Sequence, residues 1–261
     1  MRGKNVELRL TFNEDEQNYD RFRPEYPDAL MQEVIESFHA GAQSRIMEIG
    51  IGTGQATQPI LDTGCDLTAV ELGENLARFV RDKFKQVPRF GVIQGDFMEL
   101  DLAENSWDGI YSATAFHWLS PREALEKVLR LLKPQGCLAL FWNHPYPNRL
   151  EDPSNRINRE VYQQFCPSDQ ALKEFDETDL TVWKDRLIQA GFASVQTHWY
   201  RRVRTLNTEE YLGLLNTYSD HRALPEARRR AFEQEMILRL QEIGGQIRIY
   251  DTLDLYLARK P

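Results

Sequence analysis

The stretch Glu48-Ile49-Gly50-Ile51-Gly52-Thr53-Gly54-Gln55 decides the fold of this chain. It contains the end of an apolar run at 45–49 that predicts a strand, and a helix is predicted directly after it, over 55–62. Glycines between a strand and a helix let the backbone turn tightly and let a ligand approach the main chain without meeting a Cβ atom. The alternative is a glycine turn that joins strand to helix and binds nothing.

Strands and helices alternate outward from this stretch. Further strands are predicted at 67–70, 90–93, 107–111 and 137–142, and apolar residues at helical spacing lie between them. This alternation is typical of βαβ units, whose right-handed crossovers produce a doubly wound parallel sheet with helices on both faces. Because ligands of such sheets bind beyond the carboxyl ends of the strands, functional residues are expected directly after each strand.

Glu48 distinguishes this glycine loop from a dinucleotide-binding loop. A loop that binds pyrophosphate reads G-x-G-x-x-G and directs a helix N-terminus at the phosphates. Here the spacing is G-x-G-x-G, and Glu48 stands two residues before Gly50. A carboxylate in that position repels pyrophosphate but suits a ligand with a cationic amine or a sulfonium.

Two further acids follow the next two strands. Glu71 lies 21 residues after Gly50, where a carboxylate can accept hydrogen bonds from the two hydroxyls of a ribose. Asp96 follows the third strand, where its carboxylate can accept from an adenine amino group while the N–H of Phe97 meets a ring nitrogen. Each acid taken alone also fits an exposed residue at a strand end or in a loop.

The three acids are more informative together, because neighbouring strand ends bring them to one edge of the sheet. They outline a ligand with an amine and thioether end, a ribose and an adenine, which is S-adenosylmethionine. A nicotinamide dinucleotide needs neither Glu48 nor Asp96, so an NAD(P)-dependent oxidoreductase is the weaker alternative. A regulator that binds the adenosyl compound but transfers nothing stays open, since methyl transfer requires no fixed catalytic side chain.

The chain resembles the class I S-adenosylmethionine-dependent methyltransferases, within their small-molecule group termed type 11. The similarity extends over about 19–142 in sequence and over about 180–259 in topology. The segments that carry it are Tyr19-Asp20-Arg21-Phe22-Arg23-Pro24, Met47–Gln55, Ala69-Val70-Glu71-Leu72, Gln94-Gly95-Asp96-Phe97, Trp107–Ala113 and Leu132–Leu138. Ile51 departs from the family, which more often has cysteine or a small residue there.

The resemblance implies an α/β, Rossmann-like, seven-stranded doubly wound sheet, whose last strand is antiparallel and lies beside the fifth. It also implies S-adenosyl-L-methionine as the cofactor, with the glycine loop at its methionine portion, Glu71 at its ribose and Asp96 at its adenine. Tyr19 is expected to close over the cofactor. The full set of expected cofactor contacts is Tyr19, Glu48, Gly50, Gly52, Gly54, Gln55, Glu71, Leu72, Asp96, Phe97, Ser112 and Ala113.

The methyl acceptor is expected beside Ala115-Phe116-His117-Trp118, which follows the fourth strand. Some relatives carry a similar His-Trp pair, among them enzymes distantly similar to trans-aconitate methyltransferases, which act on carboxylates. His117 is therefore the candidate catalytic residue, as a group that orients or deprotonates the acceptor. Phe116 and Trp118 are expected to face the sulfonium as cation–π partners, unless they simply pack beneath a cap. Further acceptor contacts are expected after the fifth strand, at Asn143 and His144.

Insertions interrupt the alternation of strands and helices. We expect a cofactor-binding half with an N-terminal helix at 1–143, a proline-rich cap or lid insertion at 144–178, and the remaining part of the same domain at 179–261. Two terminal strands in the last part suggest a hairpin with a helical insertion at about 207–244. In this hairpin the basic run 201–204 either lines a pocket for a carboxylate or is exposed, and Asp251 interrupts an apolar face.

Composition narrows the class of protein. The 261 residues include 32 Lys and Arg against 40 Asp and Glu, a formal charge of −8, which disfavours nucleic acid as a partner. The sequence has no apolar run of membrane-spanning length, and its three cysteines form no close pair that predicts a metal site or a disulfide framework. We expect a cytoplasmic protein with a small-molecule substrate, and the sequence leaves its oligomeric state open.

Overall fold

The computed structural model describes residues 16–167 and 173–261, so parts of the predicted segments 1–143 and 144–178 lie outside the described residues. Seven strands form one sheet in the order β3-β2-β1-β4-β5-β7-β6. Their bounds are β1 Arg45–Ile49, β2 Asp66–Glu71, β3 Phe90–Gln94, β4 Trp107–Ala113, β5 Leu132–Tyr146, β6 Ala193–Asn207 and β7 Gln246–Arg259. The last strand runs antiparallel to both neighbours, which confirms the predicted doubly wound sheet and the place of its last strand.

The helices occupy the segments between these strands and the insertions. Their bounds are α1 Glu16–Phe22, α2 Asp28–Phe38, α3 Thr57–Leu61, α4 Glu74–Lys83, α5 Pro121–Leu131, α6 Pro153–Phe165, α7 Thr181–Gln189, α8 Thr208–Leu215, α9 Ser219–Arg222 and α10 Glu226–Gln241. Two short 3-10 turns add Phe116–Trp118 and Glu177–Leu180. Each helix of the described residues is too short or too polar to cross a bilayer.

Apolar side chains fill both faces of the sheet. Successive residues of a strand point to opposite faces, so Ile46 packs with α2, α3 and α4, while Met47 packs with α5 and α7. Because β1 pairs in parallel with both β2 and β4, the carboxyl ends of these strands meet at one edge of the sheet. The residues that follow each strand are thereby brought together.

The two long strands β6 and β7 pair along their whole length and form the predicted hairpin. Asp251 of β7 is 1% exposed and accepts hydrogen bonds from Arg202 (2.9 Å) and from Arg204 (2.5 and 3.0 Å) on β6. The expectation that this basic run lines a pocket or is simply exposed is therefore wrong for these two arginines. An isolated buried carboxylate is costly, and the two guanidinium groups compensate it.

The two predicted insertions pack on each other. Ile157 and Val161 of α6 lie in one apolar cluster with Tyr211 of α8 and with Phe232 and Met236 of α10. This cluster lies against the beginning of β7 and is separate from the two clusters on the faces of the sheet. The segment between α8 and α10 is thereby fixed above the carboxyl edge of the sheet.

Candidate functional site

A cavity of about 370 Å³ lies at the carboxyl ends of β1, β2, β4 and β5, with α1 and the segment around α9 contributing to its wall. It contains nine of the expected cofactor contacts, namely Tyr19, Glu48, Gly50, Gly52, Gln55, Glu71, Leu72, Phe97 and Ala113. The expectation that Glu48 and Glu71 face one ligand space agrees with this wall. Their roles toward a cofactor stay a prediction.

Gly50 must be glycine for two reasons. Its φ of +74° lies in the left-handed region, and a Cβ atom built there would lie 2.6 Å from Cβ of Ala115. The loop after β1 therefore packs directly against the residues that follow β4. This contact lets both segments form one wall of the cavity.

Glu71 fixes the shape of the glycine loop. Its two carboxylate oxygens accept hydrogen bonds from the N–H of Gly52 at 3.0 Å and from the N–H of Gly73 at 2.8 Å. Each carboxylate oxygen has a second lone pair, so the group can also accept from a ligand in the cavity. The position at the end of β2 suits the two hydroxyls of a ribose.

Glu48 is buried beneath the glycine loop, with 1% of its surface exposed. One of its oxygens accepts hydrogen bonds from the hydroxyls of Thr57 and Tyr111, both at 2.7 Å. Burial raises the pKa of Glu48 to about 7, and the two hydrogen bonds oppose that increase. A cationic ligand group in the adjoining cavity would lower this pKa, because it stabilises the ionised carboxylate.

Three expected cofactor contacts lie outside the cavity wall. The side of Gly54 that would carry a Cβ faces the ring of Phe84, and the Ser112 hydroxyl donates to the backbone oxygen of Ile49 at 2.8 Å. Both residues are buried and neither lines the cavity, and their expected roles toward the cofactor stay a prediction. The carboxylate of Asp96 accepts from the N–H of Met98 at 2.9 Å, while its neighbours Gly95 and Phe97 do line the cavity.

His117 lies in the 3-10 turn after β4, and its ring lines the cavity. The indole N–H of Trp142 on β5 donates to Nδ1 of His117 at 2.9 Å. Desolvation lowers the pKa of His117 to about 4, with a smaller contribution from His144.

The other expected acceptor contacts are Phe116, Trp118, Asn143 and His144. Trp118 lines the same cavity as His117, His144 lines a second cavity beside it, and Asn143 lines both. Phe116 is fully buried and packs edge-to-face against Trp183, so the expected cation–π contact with a ligand is wrong for this ring. The 3-10 turn directs Phe116 into the core and leaves His117 at the surface of the cavity.

Arg23 is a wall residue for which the sequence analysis predicts no role. Its guanidinium lies 4.8 Å from the ring centre of Tyr19 and 4.4 Å from that of Tyr218, and Nη2 donates to the Thr217 backbone oxygen at 3.0 Å. Nε of Arg23 is buried and has no hydrogen-bond partner. Among the described residues that line this cavity, Arg23 is the one arginine or lysine, and the wall also contains the acids Glu48, Glu71 and Asp220.

Tyr26 and Thr114 form a second part of the wall that sequence reasoning missed. The Tyr26 hydroxyl and the Thr114 hydroxyl lie 2.7 Å apart, and both residues line the cavity. Tyr26 follows the motif that ends in Pro24 and lies in the same N-terminal segment as Arg23. That motif was the signal in the sequence that could have pointed to both residues as parts of the wall. Tyr218 belongs to the second insertion, where no sequence pattern indicates a contact with the cavity.

The second cavity, of about 700 Å³, adjoins the first. The two share Thr114, His117, Asn143 and Pro145 in their walls. The remaining wall of the second cavity comes from the end of β5, from β7 and from residues 173–183. His117 thus stands at the junction of two connected spaces.

Comparisons with known proteins agree with this geometry. Residues 47–140 match the family described as "Methyltransferase domain". An uncharacterised methyltransferase-like protein of Schizosaccharomyces pombe is 29% identical over 255 residues, which cover 95% of this chain and 91% of that protein. An uncharacterised methyltransferase of Mycobacterium tuberculosis is 32% identical over 137 residues, 52% of this chain and 54% of that protein. A solved structure from Anaeromyxobacter dehalogenans shares the fold with a TM-score of 0.66 at 19% identity, over 92% of this chain and 98% of that chain.

Proposed function

We propose that this chain is a class I S-adenosylmethionine-dependent methyltransferase and that it methylates a carboxylate of a small molecule. The match of residues 47–140 to a methyltransferase domain supports methyl transfer over the oxidoreductase that the sequence left open, and measured turnover separates an enzyme from the non-catalytic regulator. The geometry around His117 is the observation that carries the choice of a carboxylate.

The residues of the first cavity fit the parts of the cofactor. When bound, S-adenosylmethionine supplies a methyl carbon activated by positively charged sulfur, and transfer to a carboxylate yields a methyl ester without releasing a proton. Glu71 would accept from the ribose hydroxyls, and the buried carboxylate of Glu48 would stabilise positive charge at the methionine end. The N–H of Phe97 and the carboxylate of Asp96 would bind the adenine end.

Trp142 makes His117 a hydrogen-bond donor rather than a base. An indole N–H can only donate, so Nδ1 of His117 must be the unprotonated acceptor of the 2.9 Å hydrogen bond. The neutral ring then carries its proton on Nε2, which leaves no free lone pair for a proton of the acceptor. Such a ring suits an acceptor that is already ionised at neutral pH, and a carboxylate is the common group of that kind.

Arg23 supports an anionic acceptor by its charge. Its buried Nε–H has no partner, and a buried unpaired donor is unfavourable unless a ligand satisfies it. A carboxylate in the cavity would accept this hydrogen bond and compensate the guanidinium charge. Both the acceptor and the methionine portion of the cofactor offer such a group.

Catalysis then rests on alignment. Nε2–H of His117 and the residues at the junction of the cavities orient the carboxylate oxygen toward the methyl carbon, and the enclosing wall excludes water. We further propose that the acceptor is a small molecule rather than nucleic acid, because the chain carries a formal charge of −8. The free thiols of Cys65, Cys137 and Cys166 fit a reducing compartment and support a cytoplasmic location.

The test is methyl transfer from cofactor labelled in its methyl group to matched acids, phenols and amines. We expect label in the acids alone, released as methanol by mild base because the product is an ester. Label in base-stable ethers or N-methyl products would overturn the carboxylate proposal. His117→Gln keeps a hydrogen-bond donor and should retain part of the activity, whereas His117→Leu should lose about tenfold or more because the donor is absent.

A further inference from the structure

The second cavity has aromatic walls. Trp142 and Trp183 stack with ring centres 4.9 Å apart and an interplanar angle of 21°, and His144 stacks on Phe175 at 4.0 Å and 14°. Tyr256 completes this wall and contacts Trp142 edge-to-face at 5.9 Å. We call this cavity, lined by these five rings, the aromatic chamber. Trp142 and Tyr256 are buried at the back of this wall, whereas His144, Phe175 and Trp183 are half-buried and can contact a planar ring.

The charged groups of the chamber disfavour an anion inside it. Asp254 is 1% exposed, accepts from the Trp142 backbone N–H at 2.9 Å and lies 3.1 Å from Nε2 of His144. Lys173 is held by Asp179 at 2.8 Å and by Asp176 at 3.3 Å. Among the described residues of this wall, Lys173 is the one lysine or arginine; it is compensated by acids, and Asp254 adds negative charge.

The junction with the first cavity offers a polar atom. Oδ1 of Asn143 is buried and has no hydrogen-bond partner, while its Nδ2 donates to Asp251 at 3.4 Å. Asn143 and His117 line both cavities. A molecule that extends through the junction therefore meets hydrogen-bonding groups at the junction and aromatic surfaces beyond it.

We propose that the aromatic chamber binds a planar aromatic ring of the methyl acceptor, and that this ring carries no negative charge. The carboxylate attached to the ring then lies at the junction, beside His117. This inference rests on the proposed function, in that it assigns the chamber to the acceptor of the same reaction. It adds the chemical class of the acceptor: an aromatic acid whose ring and carboxylate are joined by a short spacer.

A matched pair of probes tests the chamber. Cinnamate and 3-cyclohexylpropanoate have the same number of carbons and one carboxylate each, but only the first has a planar ring. Calorimetry with the protein saturated with S-adenosylhomocysteine should give cinnamate about fivefold tighter binding or more, because stacking on aromatic walls favours the flat ring. Equal binding of the two acids, or tighter binding of the saturated acid, would overturn the proposal.

Two variants locate the binding site. Phe175→Leu removes one ring and keeps an apolar side chain, and Val182→Trp fills the chamber from a residue that is 50% exposed and lies on α7. Both should weaken cinnamate binding by about fivefold while the affinity for S-adenosylhomocysteine stays unchanged. Trp199→Leu is the matched control, because Trp199 is a half-buried aromatic residue outside both cavity walls. Cinnamate affinity that is unchanged in both chamber variants would overturn the assignment.

Additional probes separate this inference from the carboxylate proposal. Cinnamyl alcohol and cinnamylamine carry the same ring and spacer but no carboxylate. If either is methylated and its binding weakens in Val182→Trp, the chamber is supported while the carboxylate proposal fails. If saturated acids are methylated and Val182→Trp has no effect, the carboxylate proposal stands and the chamber is overturned.

Discussion

The indole N–H of Trp142, near the end of β5, donates to Nδ1 of His117, which follows the neighbouring strand β4. The two residues are 25 positions apart in the chain, and the parallel pairing of β4 with β5 brings them together. Because this bond fixes the tautomer of the imidazole, it decides whether the ring can accept a proton or only donate one.

Trp142→Phe should release the imidazole of His117 from its fixed tautomer. Loss of the indole donor frees Nδ1 to carry the proton, so the neutral ring should populate both tautomers, while desolvation, the main cause of the lowered pKa, remains. Nitrogen-15 NMR of labelled histidine reports both the tautomer and the pKa. Trp199→Phe is the control and should leave the His117 signals unchanged. An unprotonated Nε2 in the wild type would contradict the assigned tautomer.

Glu71→Gln should weaken cofactor binding. The substitution replaces one of two acceptor oxygens that hold the N–H groups of Gly52 and Gly73, and it removes the charge that favours hydrogen bonds from ribose. We expect the affinity for S-adenosylhomocysteine, measured by calorimetry, to fall by about tenfold or more. Asp66→Asn, at the opposite end of the same strand, should have no effect. Equal losses in both variants would argue against a specific role for Glu71.

Glu48 should make the ligand-free protein less stable at alkaline pH. Its pKa is 4.5 as the ordinary value and about 7 when folded, so folding favours the protonated form. This contribution to stability is present below about pH 4.5 and is lost as the pH rises through about 7, with a size of about 3 kcal/mol at most. Urea unfolding at about pH 5 and about pH 8 should show this decrease in the wild type and a smaller one in Glu48→Gln.

The exposed residue Glu36 provides the matched control for this measurement. Glu36→Gln should keep the full pH dependence of the wild type, because an exposed carboxyl interacts with solvent in both states. A Glu48→Gln variant with the same decrease between the two pH values would show that another group titrates.

Arg23→Gln should distinguish the two carboxylates that the cavity can receive. S-adenosylhomocysteine carries the methionine-type carboxylate, and methylthioadenosine lacks it. If Arg23 binds the cofactor, the variant should lose about tenfold in affinity for the first compound and nothing for the second. If Arg23 binds the acceptor, both affinities stay unchanged and the KM of the acceptor acid rises. Unchanged values in all three measurements would exclude Arg23 as a carboxylate-binding group.

Asp251→Asn should destabilise the fold more than the loss of a partly exposed ion pair does. Removal of this charge leaves the guanidinium groups of Arg202 and Arg204 without their shared buried partner, which costs about 3 kcal/mol or more. Asp108→Asn removes one partner of the more exposed pair with Lys133 and should cost about 1 kcal/mol or less. Chemical denaturation of both variants gives the two values, and a smaller loss in Asp251→Asn would contradict the account.

The sequence predicts the cofactor side of the site because local patterns determine it. Glu48 and Glu71 stand at the ends of strands that are recognisable from their apolar runs, and a parallel sheet places such ends at one edge. The same logic points to His117 after β4, which does line the cavity. It could not anticipate that the side chains of Phe116 and Ser112 are buried, because the direction of a side chain in a short turn or at a strand end depends on packing rather than on spacing.

The remaining parts of the site depend on contacts between distant segments. Arg23 meets the Thr217 backbone 194 residues further along the chain, through an insertion whose position has no local signal. The pairing of Arg202 and Arg204 with Asp251 depends on the register of β6 with β7, which alternation alone does not specify. The aromatic chamber likewise combines β5, β7 and the segment before α7.

The pH dependence of kcat tests the central claim most directly. With saturating cofactor and the acid of the probe panel that is methylated fastest, kcat should stay constant between about pH 6 and about pH 9, since neither the carboxylate nor His117 titrates there. A tenfold rise in kcat for each unit of pH, over any part of that range, would show that a proton must leave during the reaction. It would contradict both the carboxylate acceptor and the donor role of His117.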